Sequence, residues 1–263
     1  MATEAHYQVS SSPAEMSRLA AERLVGQVES AVAARGVARV AISGGSTPKP
    51  MFELLANPAE PYLTRMPWSR VELFWVDERC VAPDNDESNY RMTREAMLDK
   101  IPLHPAQVFR MEGELDPEDA ATRYEAVIRR QFGLEGAQAP VFDVVSLGMG
   151  PDGHTASLFP HTAALQERSR LVVANHVPQK DTWRITLTLP VILAGRDVSF
   201  LIQGGDKAHV LHEVLLGARD PETYPSQLIR PETGKLVLIL DRQAAADLPA
   251  PGPNGWGKME MAE

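Results

Sequence analysis

Short apolar runs recur along the chain and alternate with longer segments of mixed polarity. The runs are rich in Val, Ile, Leu and Phe, as expected of buried strands, and they cover residues 37–42, 71–76, 142–147, 171–174, 185–189, 198–202 and 236–240. Helix-like segments separate several of them. This alternation predicts an α/β fold of three layers, in which helices cover both faces of a mostly parallel, Rossmann-like sheet.

The clearest predicted helix begins close to the N-terminus. Ser12 and Glu15 have the spacing of a capping box, and Pro13 stands at the first helical position. The run rich in Ala, Leu, Val, Glu and Arg that follows ends at Gly36, a residue suited to helix termination. The sequence therefore fixes both ends of this helix.

The length of 263 residues allows one large α/β domain or two small ones. No linker rich in Ser, Gly or Pro interrupts the middle, so we expect a single domain over residues 1–263. Residues 1–11 precede the first helix, and residues 249–263 are rich in Pro, Gly and small residues. We expect both ends to be poorly ordered.

Composition excludes several classes of protein. The net charge of −9 gives no general attraction for nucleic acid or an anionic membrane, so neither is an expected partner. No apolar run approaches the ~18 residues needed to span a bilayer, and no secretory signal is visible, so we expect a cytoplasmic protein. The single Cys80 excludes an intrachain disulfide. An anionic ligand would require a locally basic site.

Three of the predicted strands run directly into glycine, after residues 42, 147 and 202. Ligands of open α/β sheets bind beyond the carboxyl ends of the strands, so we expect these three ends to line one crevice. In the first loop, Gly44, Gly45, Ser46 and Thr47 offer N–H groups and hydroxyls that suit phosphate oxygens. A glycine turn with a Ser/Thr cap explains that loop equally well.

The second loop delivers a lone histidine, His154, to the mouth of this crevice. We expect the loop glycines, among them Gly150, to approach a ligand, and a helix to begin at Thr155. Residues 148–153 also match the dinucleotide pattern G-x-G-x-x-G, but no acidic residue ends the following strand to hold a ribose. The Walker pattern is missing as well, and no histidine has a metal-binding spacing.

Charged candidates follow the strand at residues 71–76. At a period of two residues, Asp77 and Arg79 share one face, on which Arg79 suits a phosphate and Asp77 a histidine or sugar hydroxyls. The alternative is a mutual ion pair between Asp77 and Arg79. Glu78 is at least as compatible with a solvated surface charge as with a functional role. Asn89 is either a helix cap or a ligand contact. Further basic candidates are Lys180, Arg184 and Lys207.

Together these residues resemble the glucosamine-6-phosphate deaminase/6-phosphogluconolactonase family. The resemblance covers nearly the whole chain, and the motifs that carry it are SGGSTP from residue 43, DER from 77, SNY from 88, GMGPDGHTASLFP from 148 and RITLTLP from 184. It implies an α/β/α fold and hydrolysis of 6-phospho-D-glucono-1,5-lactone, the lactone being the small-molecule partner, with no cofactor and no metal. The sequence departs from the family pattern around Lys180 and Ser226.

Lactone hydrolysis requires a base that deprotonates water as the water attacks the ring carbonyl. Histidine has an ordinary pKa of about 6.5, which suits this role at neutral pH, and we predict His154 as the general base. Asp152 or Asp77 would orient it, and N–H groups of the glycine loop or a nearby cation would receive the oxyanion. The predicted phosphate ligands are Ser46, Thr47, Arg79, Arg184 and Lys207.

Two other functions are compatible with such a chain. An amino-sugar-phosphate isomerase or deaminase uses the same fold and the same kind of phosphate loop, with a base that acts at C2. A non-catalytic sugar-phosphate sensor is the more distant alternative, because no basic helix-turn-helix segment precedes the domain and His154 is present.

Overall fold

The computed structural model describes residues 4–231 and 233–262. Their strands are β1 (Glu4–Ser10), β2 (Ala38–Ile42), β3 (Val71–Trp75), β4 (Asp77–Arg79), β5 (Val108–Phe109), β6 (Val144–Leu147), β7 (Val172–Val177), β8 (Thr182–Leu187), β9 (Asp197–Ile202), β10 (Lys235–Asp241) and β11 (Trp256–Glu260). Eight of them form one sheet in the order β11-β1-β10-β9-β6-β2-β3-β5. Neighbours in this sheet are parallel, except for β11, which is antiparallel to β1.

The helices connect and cover these strands. They are α1 (Pro13–Arg35), α2 (Lys49–Leu55), α3 (Tyr62–Arg65), α4 (Asn89–Ala96), α5 (Pro117–Phe132), α6 (Leu189–Leu193) and α7 (Ala208–Leu216). Within the described ranges, none combines the length and the apolar character that a membrane crossing requires.

The first helix has the predicted ends. Ser12 caps α1 by accepting a hydrogen bond from the Glu15 N–H at 3.2 Å. The Glu15 carboxylate bonds Ser11 rather than Ser12, so the reciprocal half of the capping box is shifted by one residue. At the other end, Gly36 has a φ of 78°, the left-handed conformation that glycine adopts most easily.

The two faces of the large sheet bury two separate cores. Phe74 and Val145 belong to one core, while their chain neighbours Trp75 and Val144 belong to the other. Successive side chains of a strand point to opposite faces, so both faces of the sheet are covered and the predicted three-layer α/β fold is confirmed. Replacing a side chain as buried as Phe74, which is 0% exposed, by Ala would cost roughly 3–5 kcal/mol.

Two of the predicted strands do not join the large sheet. The runs at residues 171–174 and 185–189 contribute to β7 and β8, which form a separate antiparallel sheet in the order β4-β8-β7. A single turn over Pro178–Lys180 joins β7 to β8. A connection this short permits an antiparallel pair, because a parallel pair requires a crossover of about a dozen residues or more.

The chain ends also differ from the expectation of poor order. Residues 4–10 form β1, which lies between β10 and β11, and residues 256–260 form β11. Alternate side chains of β1, Ala5 and Tyr7, are 0% and 2% exposed, so this short strand is fixed by burial and by pairing on both sides. Residues 1–3 and 263 lie outside the described residues.

Candidate functional site

The carboxyl ends of three neighbouring strands, β2, β6 and β9, open onto one cavity of about 370 Å³. The three glycine loops that the sequence places after these strands all contribute to its wall, as expected for an open α/β sheet. The predicted site residues that line the cavity are Gly44, Gly45, Ser46, Thr47, Asp77, Arg79, Asn89, Gly150, His154 and Lys207. Asp152 and Arg184 are not part of this lining.

The loop after β2 presents unpaired backbone donors to the cavity. In the described part of the chain, the N–H groups of residues 44–47 have no acceptor. The hydroxyl of Ser43 donates to the main-chain oxygen of Ser146 at 2.6 Å and ties the base of this loop to β6. Gly45 has a φ of 99°, which a residue with a side chain adopts only with strain. A cluster of free N–H groups is a chemically suitable cradle for an anion.

The side chain of Asn89, the first residue of α4, packs against this loop at Gly44. A Cβ atom at Gly44 would overlap the Asn89 side chain, so the close approach requires glycine. Asn89 donates through Nδ2 to the main-chain oxygen of Asp77 at 3.0 Å and to its carboxylate at 3.4 Å. Asn89 is not the helix cap that the sequence also allowed. Ser88 caps α4 instead, and its Oγ accepts from the Arg91 N–H at 3.1 Å.

Glu78 is buried, although its sequence position was compatible with a solvated surface charge. It is 3% exposed, and its carboxylate accepts hydrogen bonds from the N–H groups of Arg79, Asn89 and Tyr90, each at 2.8 Å. Burial raises the pKa of Glu78, while these three N–H groups act in the opposite direction. Glu78 thereby holds together the backbones of two predicted ligand residues.

Arg79 and Arg184 lie opposite each other on the neighbouring strands β4 and β8. They are direct partners in the antiparallel register of β4 and β8. Within the described residues, Arg79 forms no ion pair with Asp77 and donates instead to the main-chain oxygen of Glu87, while the buried Nη1 of Arg184 has no partner. Burial and the charge of Arg79 lower the pKa of Arg184. Two guanidinium groups placed so close together favour a bound anion.

His154 is oriented by Asp152. The Nδ1 atom of His154 bonds the Asp152 carboxylate, which also accepts from the His154 N–H at 3.3 Å. Burial on its own raises the pKa of Asp152, but the hydrogen bond and charge of His154 outweigh it and lower this pKa below its ordinary value. With Nδ1 donating to a carboxylate, Nε2 is left to accept a proton. Asp152 therefore acts on His154 from outside the cavity lining.

Asp77, the other carboxylate proposed to orient His154, has different partners. It accepts from the Ser157 hydroxyl at 2.7 Å and from Asn89. Asp77 is 8% exposed and still lines the cavity, so it remains available to a ligand. Gly150 lines the cavity, but its N–H donates to the main-chain oxygen of His154 at 2.9 Å and is not free for an oxyanion.

No helix begins at Thr155, although the sequence predicts one. Thr155 instead forms an isolated bridge with Leu158, and Ala156 between them has a φ of 47°. The hydroxyl of Thr155 donates to Gly148 at 2.8 Å, and the Ser157 hydroxyl is taken by Asp77. Side-chain bonds to distant segments therefore replace the helix ladder in this turn.

The three remaining candidates, Lys207, Lys180 and Ser226, differ in their position relative to the cavity. Lys207 lines the cavity with a side chain that is 17% exposed, and it forms an ion pair with Asp206. Lys180 lies outside the lining, with its ammonium 5.7 Å from the centre of the Phe159 ring. Ser226 is buried away from the cavity, and its N–H donates to Gly153 at 2.9 Å.

Sequence reasoning missed two residues at this site. Gln203, the last residue before the glycines of the third loop, lines the cavity, and its position at a strand end is the signal that points to it. Phe159 stacks on the His154 imidazole with ring centres 3.9 Å apart. Its place five residues after His154 gives no local signal, because the contact depends on the turn that replaces the expected helix.

Another hollow, of about 700 Å³, lies at the end of β1 beside residues 249–255. Its charged lining within the described chain consists of Glu15 and Arg242, and Glu15 already bonds Ser11. It lacks the convergent charged and free N–H groups of the smaller cavity, which is the better candidate site. The described residues contain no group of three or more His, Cys, Asp or Glu side chains placed to hold a metal ion.

Comparison with known proteins assigns the chain to a family. Residues 11–238 match the model of the family described as glucosamine-6-phosphate isomerases/6-phosphogluconolactonase. The chain belongs to this family. Its membership confirms the resemblance that the glycine loops and the motif around His154 indicate.

Individual family members are similar over most of their length. The chain is 41% identical over 223 residues to the 6-phosphogluconolactonase of Synechocystis sp., covering 84% of this chain and 89% of that protein. It is 41% identical over 237 residues to the 6-phosphogluconolactonase of Mycobacterium tuberculosis, covering 88% and 93%. The solved structure of 6-phosphogluconolactonase from Trypanosoma cruzi superposes with a TM-score of 0.82 at 32% identity, covering 94% and 98%.

Proposed function

We propose that this member of the glucosamine-6-phosphate isomerase/6-phosphogluconolactonase family hydrolyses 6-phospho-D-glucono-1,5-lactone to 6-phospho-D-gluconate in the pentose phosphate pathway. The observation that carries the proposal is the placement of His154, oriented by Asp152, on the same cavity as Arg79, Lys207 and the loop after β2. A base and an anion site share one cavity of about 370 Å³, as a phosphorylated lactone requires. The names of the relatives at 41% identity support this substrate.

The phosphate is proposed to bind at the basic end of the cavity. Unpaired N–H groups of residues 44–47 surround it, and Arg79 and Lys207 supply positive charge. Arg184 adds a second guanidinium beside Arg79. Each charge-assisted hydrogen bond of this type contributes about 1.5–3 kcal/mol, so two or three suffice to anchor the substrate against the overall negative charge of the chain.

Catalysis begins with a water between His154 and the ring carbonyl. Because Asp152 engages Nδ1, the Nε2 atom of His154 takes a proton from this water as its oxygen attacks C1. The imidazolium that forms is stabilised by the Asp152 carboxylate, whose pKa lies below its ordinary value and which therefore stays ionised at neutral pH. Collapse of the tetrahedral intermediate breaks the bond from C1 to the ring oxygen, and the proton returns to that oxygen as the ring opens.

The oxyanion needs a donor other than Gly150, whose N–H is already engaged. In the described part of the chain, the neighbouring Met149 N–H has no acceptor, and Met149 lines the cavity. We assign the oxyanion to this N–H or to a cationic side chain on the same wall. Removing a single donor of this kind typically lowers kcat by about 10²–10³.

A hydrolysis assay on freshly prepared lactone, corrected for spontaneous ring opening, tests the proposal. Replacing His154 by Ala should lower kcat by roughly 10²–10⁴, the usual effect of losing a general base, while binding of 6-phosphogluconate persists. Full turnover in this variant would remove His154 from the role. Incubation with glucosamine 6-phosphate and measurement of ammonia test the deaminase alternative, and tight sugar-phosphate binding without turnover would favour the sensor.

The proposed reaction requires no metal ion and no organic cofactor, since the base, the anion site and water supply each step. A cytoplasmic location and the lack of a nucleic-acid partner are also predictions from the sequence. Activity that survives extensive dialysis against EDTA is the expected outcome for the metal-free reaction.

A further inference from the structure

The imidazole of His154 lies flat against a second ring. The ring centres of His154 and Phe159 are 3.9 Å apart, and the two planes differ by 20°. Phe159 is 3% exposed, so the stack is closed to solvent on the phenyl side. The bond to Asp152 fixes one point of the imidazole, whereas the stack fixes its plane.

A third contact comes from Gly150. A Cβ atom at this position would overlap Nδ1 and Cε1 of His154 as well as the Asp152 carboxylate. The imidazole is therefore in close contact with the backbone of its own loop, in addition to the phenyl ring and the carboxylate. Tilting of the imidazole towards the phenyl ring requires Phe159 to move.

Phe159 is itself held from two directions. Its main-chain oxygen accepts from the Thr162 hydroxyl at 2.8 Å, and Asn175 on β7 donates to that hydroxyl at 3.0 Å. The turn between β7 and β8 adds the Lys180 ammonium, 5.7 Å from the phenyl centre, a geometry suited to a cation–π contact. In the same turn, Gln179 donates to the main-chain oxygen of Pro160 at 2.8 Å.

We infer that Phe159 is a positioning residue for His154, and that the turn between β7 and β8 holds Phe159 in place through Lys180 and Gln179. The inference rests on the proposed function, because it assigns to Phe159 the task of holding the general base. Phe159 does not line the cavity and has no contact with the substrate in this proposal. Its effect is exerted through the orientation of the imidazole.

The expected size of the effect follows from geometry. A general base acts over a hydrogen bond whose rate contribution falls steeply with misorientation, and a displacement of about 1 Å can cost about 10²-fold. Phe159→Leu retains an apolar side chain but removes the planar surface. We expect kcat to fall by roughly 10- to 100-fold while KM changes by less than about twofold, since the phosphate site is untouched.

Phe109→Leu is the matched control. Phe109 stacks on Phe74 with ring centres 4.7 Å apart, and it lies on the edge strand β5 of the large sheet. The same substitution there removes a stacked ring with no contact to His154. Kinetic constants of F109L close to those of the wild type, together with the fall in kcat of F159L, are the expected result. Equal kcat values in the two variants would overturn the inference.

Proton NMR of the histidine side chains tests whether the stack of His154 on Phe159 exists in solution. The ring current of a phenyl group stacked at 3.9 Å moves the His154 Hε1 resonance upfield, and His154→Gln identifies this resonance by its loss. We expect the upfield shift in the wild type and in F109L, and its loss in F159L. A wild-type His154 resonance in the ordinary range would overturn the inference even if F159L fails to fold.

The variant Lys180→Met tests the contact with the turn. Lys180 is exposed, so the variant should fold, and we expect a smaller fall in kcat, of about threefold, with partial loss of the upfield shift. Lys180→Arg, which retains the cation, should restore both. The two hypotheses fail differently, because full activity of His154→Ala rejects the proposed function, whereas activity of F159L equal to that of F109L rejects only the positioning role.

Discussion

Arg79 and Arg184 stand directly opposite each other in the antiparallel register of β4 and β8. Like charges in this position destabilise a sheet, by about 0.2–1 kcal/mol relative to neutral pairs. In the described part of the chain, no acid forms an ion pair with either guanidinium: Arg79 donates to the main-chain oxygen of Glu87, and Nη1 of Arg184 is buried without a partner. The arrangement becomes favourable when an anion binds between or beside the two groups.

The substitution Arg184→Met should therefore act in opposite directions on stability and on affinity. Without ligand, we expect the free energy of unfolding to be unchanged or higher by up to about 1 kcal/mol, because a like-charge contact is removed. We expect KM for the lactone to rise about 10- to 100-fold with little change in kcat, from the loss of a charge-assisted contact to phosphate. Arg130→Met, on the exposed side of α5, is the matched control. A loss of stability without any change in KM would exclude Arg184 from the phosphate site.

Asp152 and Asp77 should differ in their effect on the tautomer of His154. Asp152→Asn should lower kcat by roughly 10²–10⁴, because an amide no longer stabilises the imidazolium or selects the Nδ1–H form. Asp77→Asn should leave the tautomer unchanged, since Asp77 bonds Ser157 and Asn89. Nitrogen chemical shifts of His154 in the two variants make the comparison. A tautomer altered by Asp77→Asn alone would reverse the assignment.

Glu78 is expected to determine both stability and substrate affinity. Glu78→Gln replaces a carboxylate that accepts from three N–H groups with a group that has one acceptor oxygen, so buried donors lose their partner. We expect a loss of about 1–3 kcal/mol in the free energy of unfolding in urea, together with a higher KM as Arg79 and Asn89 shift. Glu114→Gln, at a partly exposed ion pair with Arg110, should change stability by less than about 0.5 kcal/mol. Equal losses in the two variants would argue against this role.

Cys80 should make stability depend on alkaline pH. Burial raises the pKa of its thiol from 9.0 to about 11, against the opposing effect of Arg184. Because the folded state retains the proton more tightly, the contribution of Cys80 to stability is complete below pH 9.0 and is lost as the pH rises towards about 11. The difference in free energy of unfolding between wild type and Cys80→Ala, followed from pH 8 upward, should change within this window. If the two curves of unfolding free energy against pH stay parallel, the pKa of the Cys80 thiol is not raised in the folded state.

The sequence predicts those features of the fold that depend on local patterns. Helix α1 begins and ends where Ser12, Pro13 and Gly36 place it, and the glycine loops meet because the carboxyl ends of parallel strands share one edge. The assignment of β7 and β8 to a separate sheet was not predictable from apolar runs, which do not specify the partner of a strand. The strands at the two chain ends were not predicted, because neither EAHYQVS nor WGKME contains a continuous apolar run.

At the site, residue types were predictable and pairings were not. The motif around His154 identifies the histidine, but the choice between Asp152 and Asp77 depends on how a turn folds in space. Glu78 alternates with two cavity residues along β4, and the structure directs its carboxylate to the start of α4 instead of to solvent. The contacts of Glu78 with α4 and of Asp77 with Ser157 join segments about ten or more residues apart, beyond the range of any periodicity.

The antiparallel pair of β7 and β8 reaches both ends of the proposed substrate. Near its turn, where Arg184 pairs with Asn175, it carries a guanidinium beside the phosphate ligands, and within the turn the Lys180 ammonium lies 5.7 Å from the centre of the Phe159 ring on which His154 stacks. Any tilt of this pair of strands would displace the anchor of the substrate and the imidazole together. Affinity and turnover should consequently rise and fall in concert when the hairpin is perturbed, even by changes that touch neither the lactone nor the base.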